Sequence, residues 1–259
     1  MRIVTLGDLL LDVVVRLDTV LVPGDDQPAH TSTGSGGQAA NVAAWAASLD
    51  AQATFVGRIG TDPTGEIVLR ELRKRGVTHR GPVAGRTGVV VSISAAGDRT
   101  MASDRGSATD LAPHDLEAAW FDCDVLHVSG YSLAREPIGS AADAAALHAR
   151  AHGATVALDV SAWTLVDDAF RARVAALAPE LVFATEREQE AIGPLDARWV
   201  VKRGARGLSV DGVDYPAVGV EVVDATGAGD ALAAGFHVGG PELGVTTAAR
   251  CCSQIGAMP

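Results

Sequence analysis

Towards its C-terminal end the chain reads Val223-Asp224-Ala225-Thr226-Gly227-Ala228-Gly229-Asp230, followed by the apolar run Ala231-Leu232-Ala233-Ala234-Gly235-Phe236. The pattern predicts a strand, a glycine-rich turn and a helix. Glycines let the backbone come close to a ligand. The free N–H groups and dipole at the start of a helix favour an anion. Asp230 falls in the first helical turn, beside that anion site. A carboxylate there can take a proton from an attacking hydroxyl while the amides hold the charge that builds on a transferring phosphoryl group. The same residues also suit a plain strand–helix junction, with Asp230 merely favoured by the dipole. No Lys-Ser/Thr pair follows the glycines, so the segment is not a Walker A loop.

Two further segments carry polar groups on glycine-rich turns. In Gly34-Ser35-Gly36-Gly37-Gln38-Ala39-Ala40-Asn41 a turn feeds an Ala-rich helix. Asn41 lies about one turn in, where its amide can donate to and accept from a polyol, or satisfy a neighbouring backbone group. No glycine stands three residues after Gly37, so the dinucleotide fingerprint is absent. In Gly7-Asp8-Leu9-Leu10-Leu11-Asp12 the acids suit either a solvated turn or acceptance of hydrogen bonds from sugar hydroxyls.

The rest of the chain must position these groups. Strands are expected at Ile3–Leu6, Ala53–Val56, Val125–Val128, Thr155–Leu158, Leu181–Phe183 and Trp199–Lys202. Helices are expected at Gln38–Leu49, near Pro137–His152 and at Asp167–Leu177. Another should be capped by Asp62, start with Pro63 and end at Arg75 before Gly76. Such alternation predicts an open α/β sheet with helices on both faces. Asp12–Leu17, Ala29–Thr33, Gly88–Ala95 and Arg99–Ala102 break the pattern, with a turn at Ala96-Gly97-Asp98. They form either a small separate antiparallel sheet or edge strands of the main one. A few strands alone are marginal and need cover from the main domain, a ligand or a second subunit.

The chain has 259 residues, 47% of them apolar and 20% charged, with a net charge of −11. That supplies a sizeable core and excludes a disordered chain. Without a basic tract, general nucleic-acid binding is excluded as a leading reading. Cys123, Cys251 and Cys252 are odd in number and lack zinc-type spacing, which fits a reducing cytoplasm. No stretch reads as a signal peptide or membrane span.

In this order, the segments resemble the ribokinase-like (PfkB) carbohydrate kinase family. The stretch from Gly36-Gly37 to Gly60 is similar to its N-terminal signature, and Asp224 to Phe236 to its C-terminal one. Val128-Ser129-Gly130-Tyr131 and Leu158-Asp159 extend the resemblance through the middle. It implies a three-layer fold with a central, mostly parallel sheet and a small β-sheet lid, in one kinase domain over 1–259. The lid strands would come from about 12–35 and 86–102. The implied reaction moves the ATP γ-phosphate to a hydroxyl of a sugar-like substrate. Asp230 would be the base, and the amides of Gly227, Ala228 and Gly229 the anion hole. Asp12, Gly37 and Asn41 would hold the sugar, while Lys202, Gly204 and Gly207 match the nucleotide-side loop. Thr185 and Glu188 match an Asn-x-x-Glu motif whose Glu acts on Mg²⁺ through water. Asp224 matches a cation-side residue, which leaves K⁺ activation open. The resemblance also implies a cytoplasmic homodimer joined through the lid.

Departures from the family pattern are few. Thr185 replaces the usual Asn, Ala225 a usual Thr, and Asp50 a Gly or Ser at a helix end, where Asp tolerates the left-handed conformation. Leu10 stands at a position that is polar in ribokinase and argues against ribose. Lys202 and Arg203 add two cations that either touch phosphates or form surface ion pairs. Arg105 suits an acidic sugar's carboxylate or a pairing with Asp104. The alternatives are a nucleoside kinase of the same fold, which the lack of aromatics between Phe55 and Trp120 disfavours, and a sugar-binding regulator without turnover.

Overall fold

The structure is a computed structural model that describes residues 1–95 and 98–259. Its centre is a nine-stranded sheet. In chain order its strands are β1 (Arg2–Leu6), β4 (Gln52–Val56), β5 (Thr78–Arg80), β8 (Val125–Ser129), β9 (Thr155–Asp159), β10 (Leu181–Thr185), β11 (Arg198–Lys202), β12 (Leu208–Val210) and β13 (Val213–Tyr215). Their order across the sheet is β13-β12-β11-β10-β9-β8-β1-β4-β5. All neighbours are parallel except β11–β12 and β12–β13. The central strands β1, β8, β9 and β10 are buried on both faces, as parallel strands under helices must be.

Side chains alternate between two cores, as a period of two demands. Ile3, Val125, Ala157 and Phe183 face one core, with α1 (Gln38–Ser48), α2 (Pro63–Lys74) and α7 (Ala228–Cys252). Val4, Leu126, Val156 and Val182 face the other, with α4 (Ile138–Ala151) and α5 (Asp168–Leu177). The short α3 (Gly130–Leu133) and α6 (Glu186–Ile192) follow β8 and β10 directly. Helix α7 is interrupted at Gly239 and Gly240, ahead of Pro241, which cannot continue a regular ladder.

Local signals act as read. Asp62 accepts the Gly65 N–H at 2.8 Å and Pro63 opens α2, and Gly76 ends it with φ +80. Asp50 takes φ 63 after α1.

The four pattern-breaking segments form a separate small sheet of β2 (Leu10–Leu17), β3 (His30–Gly36), β6 (Thr87–Ala95) and β7 (Asp98–Gly106), in the order β3-β2-β6-β7. The β2–β6 pair is parallel and the other two are antiparallel. Strand β7 runs four residues past the expected Ala102 and so carries Arg105. The turn expected at Ala96-Gly97-Asp98 lies mostly outside the described residues.

One expectation fails. No strand precedes the glycine turn: Ala217 to Thr226 is irregular. Val220, Val222 and Val223 are exposed instead of buried in the sheet. The segment is tied down by the Val223 and Asp224 N–H groups, which both donate to the Cys252 carbonyl. A valine-rich run reads as a strand, but here Val220 and Val222 line a ligand-sized cleft.

Candidate active site

The site lies where the C-terminal ends of the strands meet the starts of α1 and α7. Gly227 takes a left-handed conformation (φ 79) and caps α7, so Ala228, Gly229 and Asp230 occupy its first turn with their amides at the helix mouth. Gly37 caps α1 with φ 105, and a Cβ there would collide with the Asp8 carbonyl. Only glycine allows that approach, which seats the start of α1 against the segment between β1 and β2.

These two caps bring residues 189 apart in sequence into direct contact. Asn41 Nδ2 donates to Asp230 Oδ2 at 2.7 Å. The other end of the amide, Asn41 Oδ1, is buried and has no hydrogen-bond partner among the described residues, so it has an acceptor to offer a hydroxyl. Burial pushes the Asp230 carboxyl up to about 7. The Asn41 donor pulls it back, Asp159 raises it, Lys202 lowers it and Asp12 raises it. A carboxyl near 7 is well matched to proton abstraction at neutral pH.

Asp12 comes from β2 of the small sheet, and its carboxylate packs against the backbone of Gly36 in β3. Burial raises it to about 6. Gly37, Asn41 and Asp12 thus converge beside Asp230.

On the other side, Lys202 at the end of β11 donates to both oxygens of Asp159 at the end of β9, at 2.9 and 2.8 Å. Asp159 is fully buried. Burial works against the charge on Lys202, but Asp159, Glu188 and Asp230 outweigh it and hold its pKa raised. The ammonium also reaches the anion hole, since a Cβ on Gly229 would lie 3.6 Å from Nζ. Arg203 turns away and pairs with Glu186 and Asp214. Of the two cations flagged in the sequence, only Lys202 belongs to the site. Asp159, its partner, was matched in sequence but given no role there. The signal was an acid directly after the buried apolar run Val156-Ala157-Leu158, which needs a nearby cation.

Lys202, Gly204 and Gly207 line a cleft of about 370 Å³, with Gly229, Leu232 and Cys252 on its other walls. It is mostly apolar and ends at the α7 mouth, which suits a flat base followed by phosphates. Thr185 and Glu188 sit at the β10–α6 junction, outside that lining. Glu188 N–H donates to Thr185 Oγ1 at 3.3 Å and Thr185 N–H to Glu188 Oε2 at 2.7 Å. This is a capping box. It explains how Thr stands in for Asn, since a hydroxyl caps as well as an amide. Among the described residues no three His, Cys, Asp or Glu side chains gather into a metal-binding group. Glu188 is buried and keeps one oxygen free of the cap, which fits action on Mg²⁺ through water.

Asp224 holds its own loop together. Oδ1 accepts Thr226 N–H at 2.9 Å, Oδ2 accepts Gly256 N–H at 3.2 Å, and Arg16 of β2 lies 3.7 Å away. Burial opposes ionisation, yet these partners keep the carboxyl below its usual range. Arg105 pairs with Asp8, and Asp104 pairs with Arg86 instead.

The chain is 29% identical to an ATP-dependent ribose-1-phosphate kinase of Halopiger xanaduensis, over 91% of this chain and 83% of that protein. It is 26% identical to a fructokinase of Escherichia coli, over 98% and 89%. An adenosine kinase of Sinorhizobium meliloti superposes with a TM-score of 0.89 at 27% identity, covering 100% of this chain and 95% of that one. An uncharacterized sugar kinase from Pyrococcus horikoshii in complex with ATP shares the fold, with a TM-score of 0.86 at 22% identity over 99% and 95%. The family model for pfkB family carbohydrate kinases matches residues 1–258, and the chain belongs to that family.

Proposed function

We propose that the protein transfers the γ-phosphoryl group of ATP to a hydroxyl of a sugar or sugar-like small molecule, with Asp230 as general base. The observation that carries this reading is the Asn41–Asp230 contact at the mouth of α7, with an acid raised to about 7 in the first turn of that helix. ATP would lie along the apolar cleft, its phosphates reaching Lys202 and the amides of Gly227, Ala228 and Gly229. The sugar would lie under the small sheet, which acts as the lid, with hydroxyls on Asp12, Asn41 and the Gly37 backbone. Asp230 would take the proton of the attacking hydroxyl. The amides and Lys202 would hold the charge spread over the transferring group. When bound, Mg²⁺ neutralises phosphate charge, and Glu188 is the residue assigned to position it through water. The direct test is ATP consumption against pentoses, hexoses, keto-deoxy sugar acids and nucleosides, with Mg²⁺ and with K⁺ or Na⁺.

Likeness to an adenosine kinase favours a second reading, a nucleoside acceptor. Against it, the face of Tyr131 beside the sugar side is covered by the Arg105 guanidinium 4.3 Å from the ring centroid. A nucleoside with higher kcat/KM than every sugar would reverse this preference.

Two expected results follow from the site. Glu188→Gln should raise the Mg²⁺ concentration for half-maximal rate, and high Mg²⁺ should restore part of the loss, while sugar affinity hardly changes. An unchanged Mg²⁺ midpoint would reduce Glu188 to its capping role, worth about 0.3–1 kcal/mol at a helix start. Asn41→Ala removes both a sugar contact and a donor to ionised Asp230. It should weaken sugar binding by about 0.5–1.5 kcal/mol and move the acid limb of the kcat/KM profile to higher pH. Asp12→Ala should weaken sugar binding without that shift upwards, and neither should change ATP affinity. Equal weakening of both ligands would indicate a folding defect.

A further inference from the structure

A second cleft, of about 610 Å³, opens beside the sugar side. Its lining includes Arg105, Thr109, Tyr131 and Arg135. Arg105 reaches it from β7 of the small sheet. Its guanidinium is clamped between the Asp8 carboxylate, through Nη1, and the face of Tyr131. Both clamp groups belong to the main body, and Asp8 is almost wholly buried. A guanidinium has five N–H donors. Among the described residues no further hydrogen bond to the Arg105 side chain is seen, so its remaining donors are fixed in place but unused.

Arg135 stands on the same wall and, among the described residues, has no ion pair. It is near enough to Arg105 to disfavour that residue's charge, adding to the larger effect of burial. The acids bordering the cleft are already spent. Asp104 holds Arg86 through both oxygens and accepts the Gly106 N–H. Glu136 is taken by Arg173 and Ser140. In a chain of net charge −11, Arg135 without an acid, beside Arg105 whose pairing with Asp8 engages only Nη1, gives this cleft a local excess of cationic donors.

Hydrogen bonds tie the wall of this cleft to the sugar side. The Tyr131 N–H donates to Ser161 Oγ at 3.2 Å, and that hydroxyl donates to Gln38 Oε1 at 2.6 Å. Gln38 follows Gly37, whose backbone packs on Asp8. The wall therefore runs from Asp230 through Asn41, Gly37 and Asp8 to the arginines.

We propose that the acceptor is an anionic sugar, a sugar phosphate or sugar acid, whose charged group lies on Arg105 and Arg135 while its far hydroxyl faces Asp230. This rests on the kinase reading above and narrows it. The clamp gives Arg105 the fixed planar geometry that suits a carboxylate or phosphate, and Arg135 closes on the anion from the exposed side. Covering Tyr131 also removes the stacking surface that a neutral base would use.

The test is calorimetric binding, with kcat and KM, for C5 and C6 sugars each presented neutral, as the phosphate ester and as the carboxylate, with nucleosides alongside. The charged members are expected to bind at least tenfold tighter than their neutral counterparts. Whether the ester or the carboxylate gains more identifies the group. Arg135→Gln should raise KM for the charged substrate about tenfold or more, leave kcat within about twofold, and leave neutral sugars untouched. Arg105→Lys, which keeps the charge on Asp8, should lose part of the same preference. The preference should also shrink as salt is raised. A neutral sugar or nucleoside with the highest kcat/KM, no binding of any charged member, or an Arg135→Gln effect equal for charged and neutral sugars overturns the proposal. Phosphorylation of neutral sugars would leave the kinase reading standing while this inference falls. Charged sugars that bind but never receive phosphate would do the reverse.

Discussion

Asp230→Asn is expected to lower kcat by about 10²–10⁴-fold, the range for a positioned base, while ATP binding stays nearly unchanged. The substitution keeps the side-chain shape and leaves the amides of Gly227, Ala228 and Gly229 in place. A loss smaller than tenfold would remove Asp230 from the role of base. The parent enzyme should show the matching pH dependence. Asp230 must be ionised to accept a proton and has a pKa of about 7, so kcat/KM should fall tenfold per unit below that and level off above. Stability should move the opposite way. In the folded chain the carboxyl holds its proton up to about 7, whereas it would release it near 3.8 when unfolded. Between those values the folded state binds more protons, so stability falls as pH rises across the window. Asp230→Asn lacks this penalty, and its stability relative to the parent should be higher at pH 8 than at pH 5 in denaturant titrations.

Lys202→Met should cost about 3–5 kcal/mol of stability, the range for breaking a buried ion pair from one side, and should weaken ATP binding. The effect is large because Asp159 is fully buried and that single ammonium, its ion-pair partner, donates to both of its oxygens, while the Ser161 N–H adds only a neutral donor to Oδ1. Pairing the change with Asp159→Leu removes the stranded charge. The double variant should recover much of the stability in denaturant titrations but not the turnover, since the cation beside Gly229 is still missing. If it recovered turnover as well, Lys202 would be structural only. If Lys202→Met alone left stability within about 0.5 kcal/mol, the pair would carry little of the fold.

Six strands of the large sheet were legible because each is a short, mainly apolar run bounded by turn residues, and α2 was legible because Asp62-Pro63 and Gly76 act locally; β5, Thr78-His79-Arg80, has no apolar residue to announce it. Asp230, Asn41, Gly37 and Asp12 were legible because glycine turns announce them. The structure adds that Asn41 is tied to Asp230 itself. What escaped depends on distance in sequence. Nothing near Lys202 announces Asp159, 43 residues earlier, and nothing near Arg105 announces Asp8 or Tyr131. The stretch before Gly227 misled because apolar β-branched residues look alike in a strand and on a cleft wall. β12 and β13, of three residues each, are too short to show a period.

The central claim is phosphoryl transfer to a sugar-like hydroxyl by Asp230. It is tested most directly by ³¹P NMR of the parent protein and Asp230→Asn incubated with ATP, Mg²⁺ and the sugar panel. The account predicts a phosphate ester on a sugar carbon, formed in equal amount with ADP by the parent and at least a hundredfold more slowly by the variant. ADP appearing only with free inorganic phosphate, or ester formed at the same rate by both proteins, would contradict it.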